Sequence, residues 1–510
     1  MLRAIEYELL YIPFASRNRR GQAVRTAMQI GELLVAAGVV SARDIGDAQR
    51  KRSTDRASLA DTLIGLGVAD PAALNRFLER VPAAPSTMAE TGISEADLIN
   101  NLMKLIFVEG LETTSSFIDG MKLPYVVLLQ VLDSATQRGL IAAISATGQG
   151  GLADIRYAIT EQGRAWALDA LQQSQYVGPV PISLEAFTKL AREQKVSTEL
   201  VNHARIEAAM DGLVVEPNFI DQLGPAINSG RAMLLYGPPG NGKTSIALRM
   251  RRVFADTVYV PHAVMVAGNV MRVLDQSLHE VLVPPPEGVV PRQFPPIRRD
   301  AFDERWAPCR RPFVVTGGEL TLEMLDLRYE AGPNHCEAPL HVKAMGGCIV
   351  VDDFGRQLVT PTQLLNRWIT PLENRIDYLK LSNGKTFAVP VEELVIFSTN
   401  MEPEDLMDEA FLRRIPYKLE IAAPPMTDFR SIFEGLARKA GMELTDEIFD
   451  FVCQEITERK RMRLARYQPG FLVEQLVTSC RYLGIKPRFD RRLLDHAISN
   501  LRVNRAAALL

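Results

Sequence analysis

The chain carries no Cys-x-x-Cys pair, and its five cysteines are scattered at Cys309, Cys336, Cys348, Cys453 and Cys480. Neither a zinc knuckle nor a disulfide framework organises it. His335, Cys336 and His341 are close together but lack a fourth ligand at usable spacing, so they read as loop residues rather than a metal centre. Long apolar runs are also missing. The stretches 33–40, 126–129 and 349–351 fall far short of the ~20 residues that span a bilayer, so no transmembrane segment is expected. The start, MLRAIEYELLYIPFASRNRR, places Glu6 and Glu8 in its first turns and has no clean apolar core, unlike a signal peptide. The cytoplasm is the expected compartment. Neither sign of charge dominates, because 58 Lys and Arg face 61 Asp and Glu. A net charge of −3 gives no global pull toward nucleic acid or anionic membrane. At 510 residues the chain exceeds what one core can organise, so several domains are expected.

An internal repeat is present. QIGELLVAAGVVSARDIGDAQ and SLADTLIGLGVADPAALNRFL superpose with Gly38 on Gly67, Leu34 on Leu63, Val39 on Val68 and Ile45 on Leu74. Each copy predicts an amphipathic helix stopped by glycine, a short turn with Ser41 or Asp70 as N-cap, and a second helix. Pairing two such units buries faces that neither buries alone. This repeat, within residues 1–81, resembles the N-terminal domain of type II secretion and type IV pilus ATPases, the MshE type. In that family the repeat opens Arg-Leu-Gly and some members bind cyclic di-GMP. Here the openings are Gln29-Ile30-Gly31 and Ser58-Leu59-Ala60. The lost arginine removes a bidentate phosphate contact, so the reading is a structural adaptor rather than a cyclic di-GMP receptor.

Residues 82–92 (PAAPSTMAETG) read as a linker. Residues 93–175 then predict three helices, two short strands and a helix, a winged-helix-like module. The paired helices fall at 115–117 and 124–138, the wing starts at 139–141, its tip is 148–151, and it returns at 155–159. This module has nine acidic and five basic residues, a net charge of −4, and its presumptive recognition helix has no Lys or Arg before Arg138. Phosphate contacts supply most DNA affinity, so a protein partner is expected here rather than DNA. Residues 176–230 read as a helical connector, ending near the apolar stretch Gly212-Leu213-Val214-Val215.

A short apolar strand at 231–236 leads directly into GPPGNGKT and a helix, the strand–loop–helix context that a P-loop requires. The nucleotide-binding set is Gly237, Pro238, Pro239, Gly240, Asn241, Gly242, Lys243, Thr244 and Ser245. The glycines let backbone N–H groups face phosphate oxygens. Lys243 is expected to bridge the β- and γ-phosphates of ATP, and Thr244 to ligate Mg²⁺. A second strand, 348–351, ends in Asp352, which resembles the Walker B aspartate of a magnesium site, and Asp353, which stands where most AAA+ proteins carry a glutamate base and is one methylene shorter. A third, 394–398, leads to Asn400, which resembles the sensor 1 residue that holds the attacking water in AAA+ ATPases. DEAFLRRIPYKLEI follows and resembles the AAA+ segment that ends in the arginine finger, which aligns Arg414 as the finger and Arg413 as the alternative.

Over about 300 residues this order, together with LLNRWITPLE, resembles the MoxR-type and related AAA+ ATPases. The resemblance implies an α/β AAA+ core (231–425), a helical lid (426–510) and a homo-oligomeric ring, with a hexamer as the expected size. The lid departs from the family's Ser-Pro-Arg, having Gln468-Pro469-Gly470, with Arg463 and Arg466 nearby. The interval between the Walker motifs is long, which predicts an insertion between about 258 and 340 with a proline-rich surface loop at 284–298. The expected function is an ATPase that remodels or assembles an unidentified protein client, in a position peripheral to an envelope machine of the secretion or pilus type. An ATP-controlled transcription regulator and a low-turnover nucleotide switch are the alternatives.

Overall fold

The computed structural model describes residues 29–55, 58–147, 154–283, 302–329 and 335–501. At its centre lies an all-parallel sheet of β1 (Met233–Tyr236), β2 (Phe313–Thr316), β3 (Cys348–Val351), β4 (Leu394–Ser398) and β5 (Tyr417–Glu420), in the spatial order β5–β1–β4–β3–β2. A parallel sheet must be covered on both faces, and alternate residues of each strand go to opposite cores. Met233, Leu235, Val350 and Ile396 pack with Leu223, Ile227, Ile246 and Met250 on one side. Leu234, Ile349, Val351 and Phe397 pack with Leu364, Trp368 and Phe411 on the other. The chain leaves β1 toward β2 and leaves the adjacent β4 toward β5, in opposite directions across the sheet. Such a switch point opens a crevice beyond the strands' carboxyl ends, and GPPGNGKT occupies it.

The expected insertion is only partly separate from this sheet. Strands Thr257–Pro261 and Trp306–Arg310 pair with each other. Strands Ala263–Val266, Asn269–Arg272, Arg328–Tyr329 and His335–Glu337 form a second five-stranded sheet completed by Ile182–Ser183. Phe313–Thr316, inside the same interval, is instead β2 of the central sheet. A four-residue apolar run bounded by proline and glycine does not reveal in sequence which sheet it joins. The proline-rich stretch 284–298 lies outside the described residues.

Two segments expected as spacers are structural. In the connector, Ile182 pairs with Val264, and Phe187 and Leu190 are buried in the core of the inserted sheet. Its helix Pro217–Ser229 covers the central sheet. The linker at 82–92 is docked as well. Asp303 N–H donates to Pro82 O at 2.9 Å, and Arg305, held by Asp303 at 2.7 Å, donates to Thr91 O at 2.8 Å. Proline and glycine indicate turns; they do not say whether a turn is covered. His335, Cys336 and His341 are likewise not loop residues. The first two lie in a strand, and His341, in the helix Leu340–Lys343, stands 2.9 Å from Asp377.

The two repeat copies fold as helix pairs, Ile30–Ala36 with Ala42–Asp55 and Leu59–Gly65 with Pro71–Glu79. Gly38 and Gly67 end the first helix of each pair at φ 73° and 68°. Leu34, Ile45, Leu63 and Leu74 form their shared core, while Leu33 and Phe77 pack into that of the inserted sheet. Arg80 pairs with Asp256 at 2.5 Å, tying the module to the start of the strand Thr257–Pro261. Residues 93–175 give helices Glu95–Lys104, Thr114–Met121 and Tyr125–Gln137, the antiparallel strands Ile141–Thr147 and Asp154–Ile159, and helix Glu161–Gln173. The residues 148–151 between the strands lie outside the described residues. In the helix Tyr125–Gln137, Val127 and Leu128 are buried and Val126 is 57% exposed. Helices Met426–Lys439, Asp446–Gln454, Tyr467–Tyr482 and Arg491–Asn500 share a core of Phe429, Phe433, Val452, Leu472, Leu476 and Ile498. Among the described residues, no helix is long and apolar enough to cross a membrane.

Glu393, just ahead of β4, is buried with Oε1 unpartnered, and burial pushes its carboxyl up to about 8. A carboxyl whose folded pKa is raised holds its proton more tightly folded than unfolded. Its contribution is therefore present at low pH and is lost as pH rises from the ordinary carboxylate range through about 8. Glu393→Gln is expected to flatten the fall in melting temperature between pH 5 and 9. An unchanged pH profile counts against a neutral buried Glu393.

Candidate functional site

The loop after β1 needs glycine where backbone passes closest to backbone. A Cβ on Gly237, at φ 130°, would stand 2.6 Å from Ile421 O. Lys243 opens the helix Lys243–Arg249, and its Nζ donates to Gly237 O at 2.8 Å and Pro238 O at 2.9 Å. Burial lowers the Lys243 pKa, and the nearby Asp353 and Asp352 carboxylates oppose that shift. In the first turn of that helix Thr244 Oγ1 donates to Asp352 Oδ2 at 2.8 Å, whereas Ser245 is exposed. Pro238 is half-buried and Pro239 exposed on the loop's outer side.

β3 and β4 are paired through Val351 and Phe397, so the residues that follow them converge. Asp353 adopts φ 47°, a left-handed conformation unusual outside glycine, and Asn400 Nδ2 donates to its Oδ1 at 3.0 Å. Asp353 and Asn400 thus form one unit at the end of two strands. Gln357 is a site residue for which the sequence carries no signal. Its Nε2 donates to Asp352 O at 3.0 Å and fixes the turn after β3. The other Asp352 oxygen, Oδ1, is buried without a hydrogen-bond partner. Among the described residues no group of three or more His, Cys, Asp or Glu is arranged around a metal. One carboxylate and one hydroxyl nevertheless suit magnesium, which keeps several waters and takes few protein ligands. The orphaned Oδ1 fits that demand.

Asp353→Asn is expected to retain ATP binding and lower the turnover rate by about 10²–10⁴. Steady-state hydrolysis measured beside a nucleotide-binding titration checks this, and unchanged turnover removes Asp353 as the base.

Arg414 and Arg413 lie elsewhere. They precede β5, whose first residue Tyr417 pairs with Met233 at the start of β1, while the P-loop follows the end of β1. About 13 Å of strand separates the two levels. Arg414 donates to Glu373 Oε2 from Nε at 3.1 Å and from Nη2 at 3.0 Å. Arg413 pairs with Glu409 at 2.6 Å on an exposed face. With Lys195, Arg231 and Arg375 they line a cavity of about 720 Å³ at this edge of the sheet.

The lid supplies different residues from those its motif suggests. A Cβ on Gly470 would meet Leu436 Cδ1 at 3.7 Å, inside the lid, and Arg463 is exposed. Arg466 and Tyr467 are the lid residues that touch the loop. Arg466 N–H donates to Asn241 Oδ1 at 3.2 Å and Tyr467 N–H to Gly240 O at 3.0 Å. The guanidinium of Arg466 is directed to Ala422 O at 2.7 Å. The lid helix begins at Tyr467, three residues earlier than a helix-start arginine at position 470 would require.

A family model described as a domain of unknown function (DUF8689) matches residues 426–500, the lid. No curated protein matches the chain. Among solved structures, NtrX from Brucella abortus is 17% identical, with 68% of this chain and 69% of that one covered at a TM-score of 0.35. The Thermotoga maritima RuvB Holliday junction branch migration motor is 13% identical, with 58% and 72% covered at a TM-score of 0.31. With superpositions this loose, the assignment of the core rests on strand order and loop geometry.

Proposed function

We propose that the chain is an AAA+-type ATPase acting as a homo-oligomeric ring. The observation that carries this reading is the separation within one chain of two half-sites. Lys243, Thr244, Asp352, Asp353 and Asn400 gather beyond the carboxyl ends of β1, β3 and β4, and Arg413 and Arg414 gather at the opposite edge. An arginine about 13 Å away along the sheet cannot reach phosphates held on its own P-loop. A neighbouring copy can present its P-loop to that arginine, and a ring of copies completes every site.

Within one copy, backbone N–H groups of the loop receive phosphate oxygens, and Lys243 exchanges its two carbonyl partners for phosphate charge. Thr244 and Asp352 would hold magnesium, which when bound neutralises phosphate charge and orients the γ-phosphate. Asp353 accepts the proton of the attacking water, and Asn400 keeps the shorter carboxylate aimed. Arg414 leaves Glu373 to meet the charge that develops on the neighbour's γ-phosphate.

The N-terminal modules supply recruitment. The acidic balance of residues 93–175 and the outward Val126 favour a protein partner, and the resemblance of the repeat points to a secretion- or pilus-type machine as client. The test is ATP turnover with magnesium across a range of protein concentrations. Turnover per chain should rise as copies associate; a rate per chain independent of concentration, from a species that stays monomeric, overturns the ring.

A further inference from the structure

The contact between lid and P-loop has a feature that the ATPase reading does not use. The Tyr467 ring lies against the apex of the loop. A Cβ on Gly240 would stand 2.3 Å from Tyr467 Cδ1 and 2.9 Å from Cε1, and Gly240 itself sits at φ 78°. Glycine is therefore required there twice, for its backbone and for the ring above it. On the other side of the same step, Arg466 fastens the lid to two other segments and braces it within. Its Nη1 donates to Ala422 O at 2.7 Å, just after β5. Its Nη2 is 4.0 Å from Glu216, ahead of the sheet-covering helix, and 4.0 Å from Asp428 in the lid's first helix. Asn241, which accepts from Arg466 N–H, is buried and spans the loop by donating to Pro238 O at 3.4 Å.

We propose that the Arg466–Tyr467 step is a latch in which Tyr467 is a positioning residue for the nucleotide loop, so that lid attitude and nucleotide affinity change together. The proposal rests on the reading of this loop as an ATP site. Its physical basis is conformational entropy. The three glycines that allow peptide N–H groups to converge also leave the loop many alternatives, and a ring packed on the outer face removes some of them. The Tyr467 N–H bond to Gly240 O then makes any rotation of the lid helix pull on the apex of the loop. Tyr467 as a whole is 42% exposed, so burial alone does not account for its place on the loop.

The test uses the full chain and equilibrium titration with a fluorescent ATP analogue in magnesium, beside steady-state turnover. Tyr467→Phe keeps the ring and should bind as the wild type does. Tyr467→Ala should weaken binding by about tenfold, with a smaller change in kcat at saturation. Gly240→Ala should bind more weakly still. The double variant Gly240→Ala with Tyr467→Ala should recover part of that loss, because the clash is gone although the φ strain remains. Circular dichroism melts verify folding, and should Gly240→Ala not fold, the Tyr467 pair decides alone. Wild-type affinity in Tyr467→Ala, or equal loss in the Phe and Ala variants, overturns the latch. A wild-type chain that binds no nucleotide overturns the ATP reading itself.

Discussion

Lys243→Ala is expected to lose tight ATP binding altogether, a weakening of roughly 100-fold or more. The ammonium is buried against two loop carbonyls at 2.8 and 2.9 Å, so it is already positioned where phosphate charge would arrive. Charge-assisted hydrogen bonds to such a group are each worth about 1.5–3 kcal/mol, and each 1.4 kcal/mol is tenfold in affinity. Burial lowers its pKa, and the Asp353 and Asp352 carboxylates oppose that shift. Removing the side chain also takes a donor from Gly237 O and leaves Pro238 O with Asn241 Nδ2, so the loop itself loosens. Isothermal titration of the folded variant checks this. ATP affinity equal to the wild type would falsify the P-loop assignment.

Arg414→Ala should behave in the opposite way, keeping ATP binding and losing hydrolysis by about a thousandfold. The distinction follows from position. Arg414 precedes the amino-terminal end of β5, whereas its own P-loop follows the carboxyl end of β1, and it contacts Glu373, so its removal leaves the local nucleotide site intact. A mixing experiment gives the decisive readout. Arg414→Ala chains have a sound P-loop, and Lys243→Ala chains have a sound Arg414. Where the second kind donates its arginine to the first, one interface is complete. Mixtures should recover measurable turnover that neither variant shows alone. Mixed assemblies that form and stay inactive would rule out an arginine acting in trans. The Glu373 pair is surface-exposed and worth about 0–1 kcal/mol, so it does not prevent Arg414 from leaving.

Much of the candidate site was legible because its residues sit within a few positions of strand ends. GPPGNGKT, Asp352-Asp353 and Asn400 each follow a short apolar strand. In a parallel sheet, residues just beyond adjacent strands converge whatever the loops between them do. That is a local rule applied three times, and strand pairing turns it into a site. The lid was less legible. The motif around Gly470 places an arginine by counting along a helix, and the helix begins at Tyr467, so the count carried position 470 to a half-buried site beside Leu436. Tyr467 gave no sequence signal, because an aromatic at the start of a helix says nothing about a loop more than 200 residues away.

The amino-acid sequence by itself determined the local chemistry. It set which strands end in carboxylate, amide or a glycine-rich turn, where the repeat's helices stop at Gly38 and Gly67, and that Val126–Leu129 could not all face inward. Those are consequences of backbone conformation and of periods two and 3.6, which act over a few residues. Tertiary structure alone decided the long-range matters. Phe313–Thr316 joined the central sheet, residues 82–92 docked through Arg305, Arg414 was separated from Lys243, and Tyr467 was laid on Gly240. Each of these depends on which distant segments share buried surface and hydrogen bonds. Residue spacing does not encode that choice; it is made only when the whole chain packs.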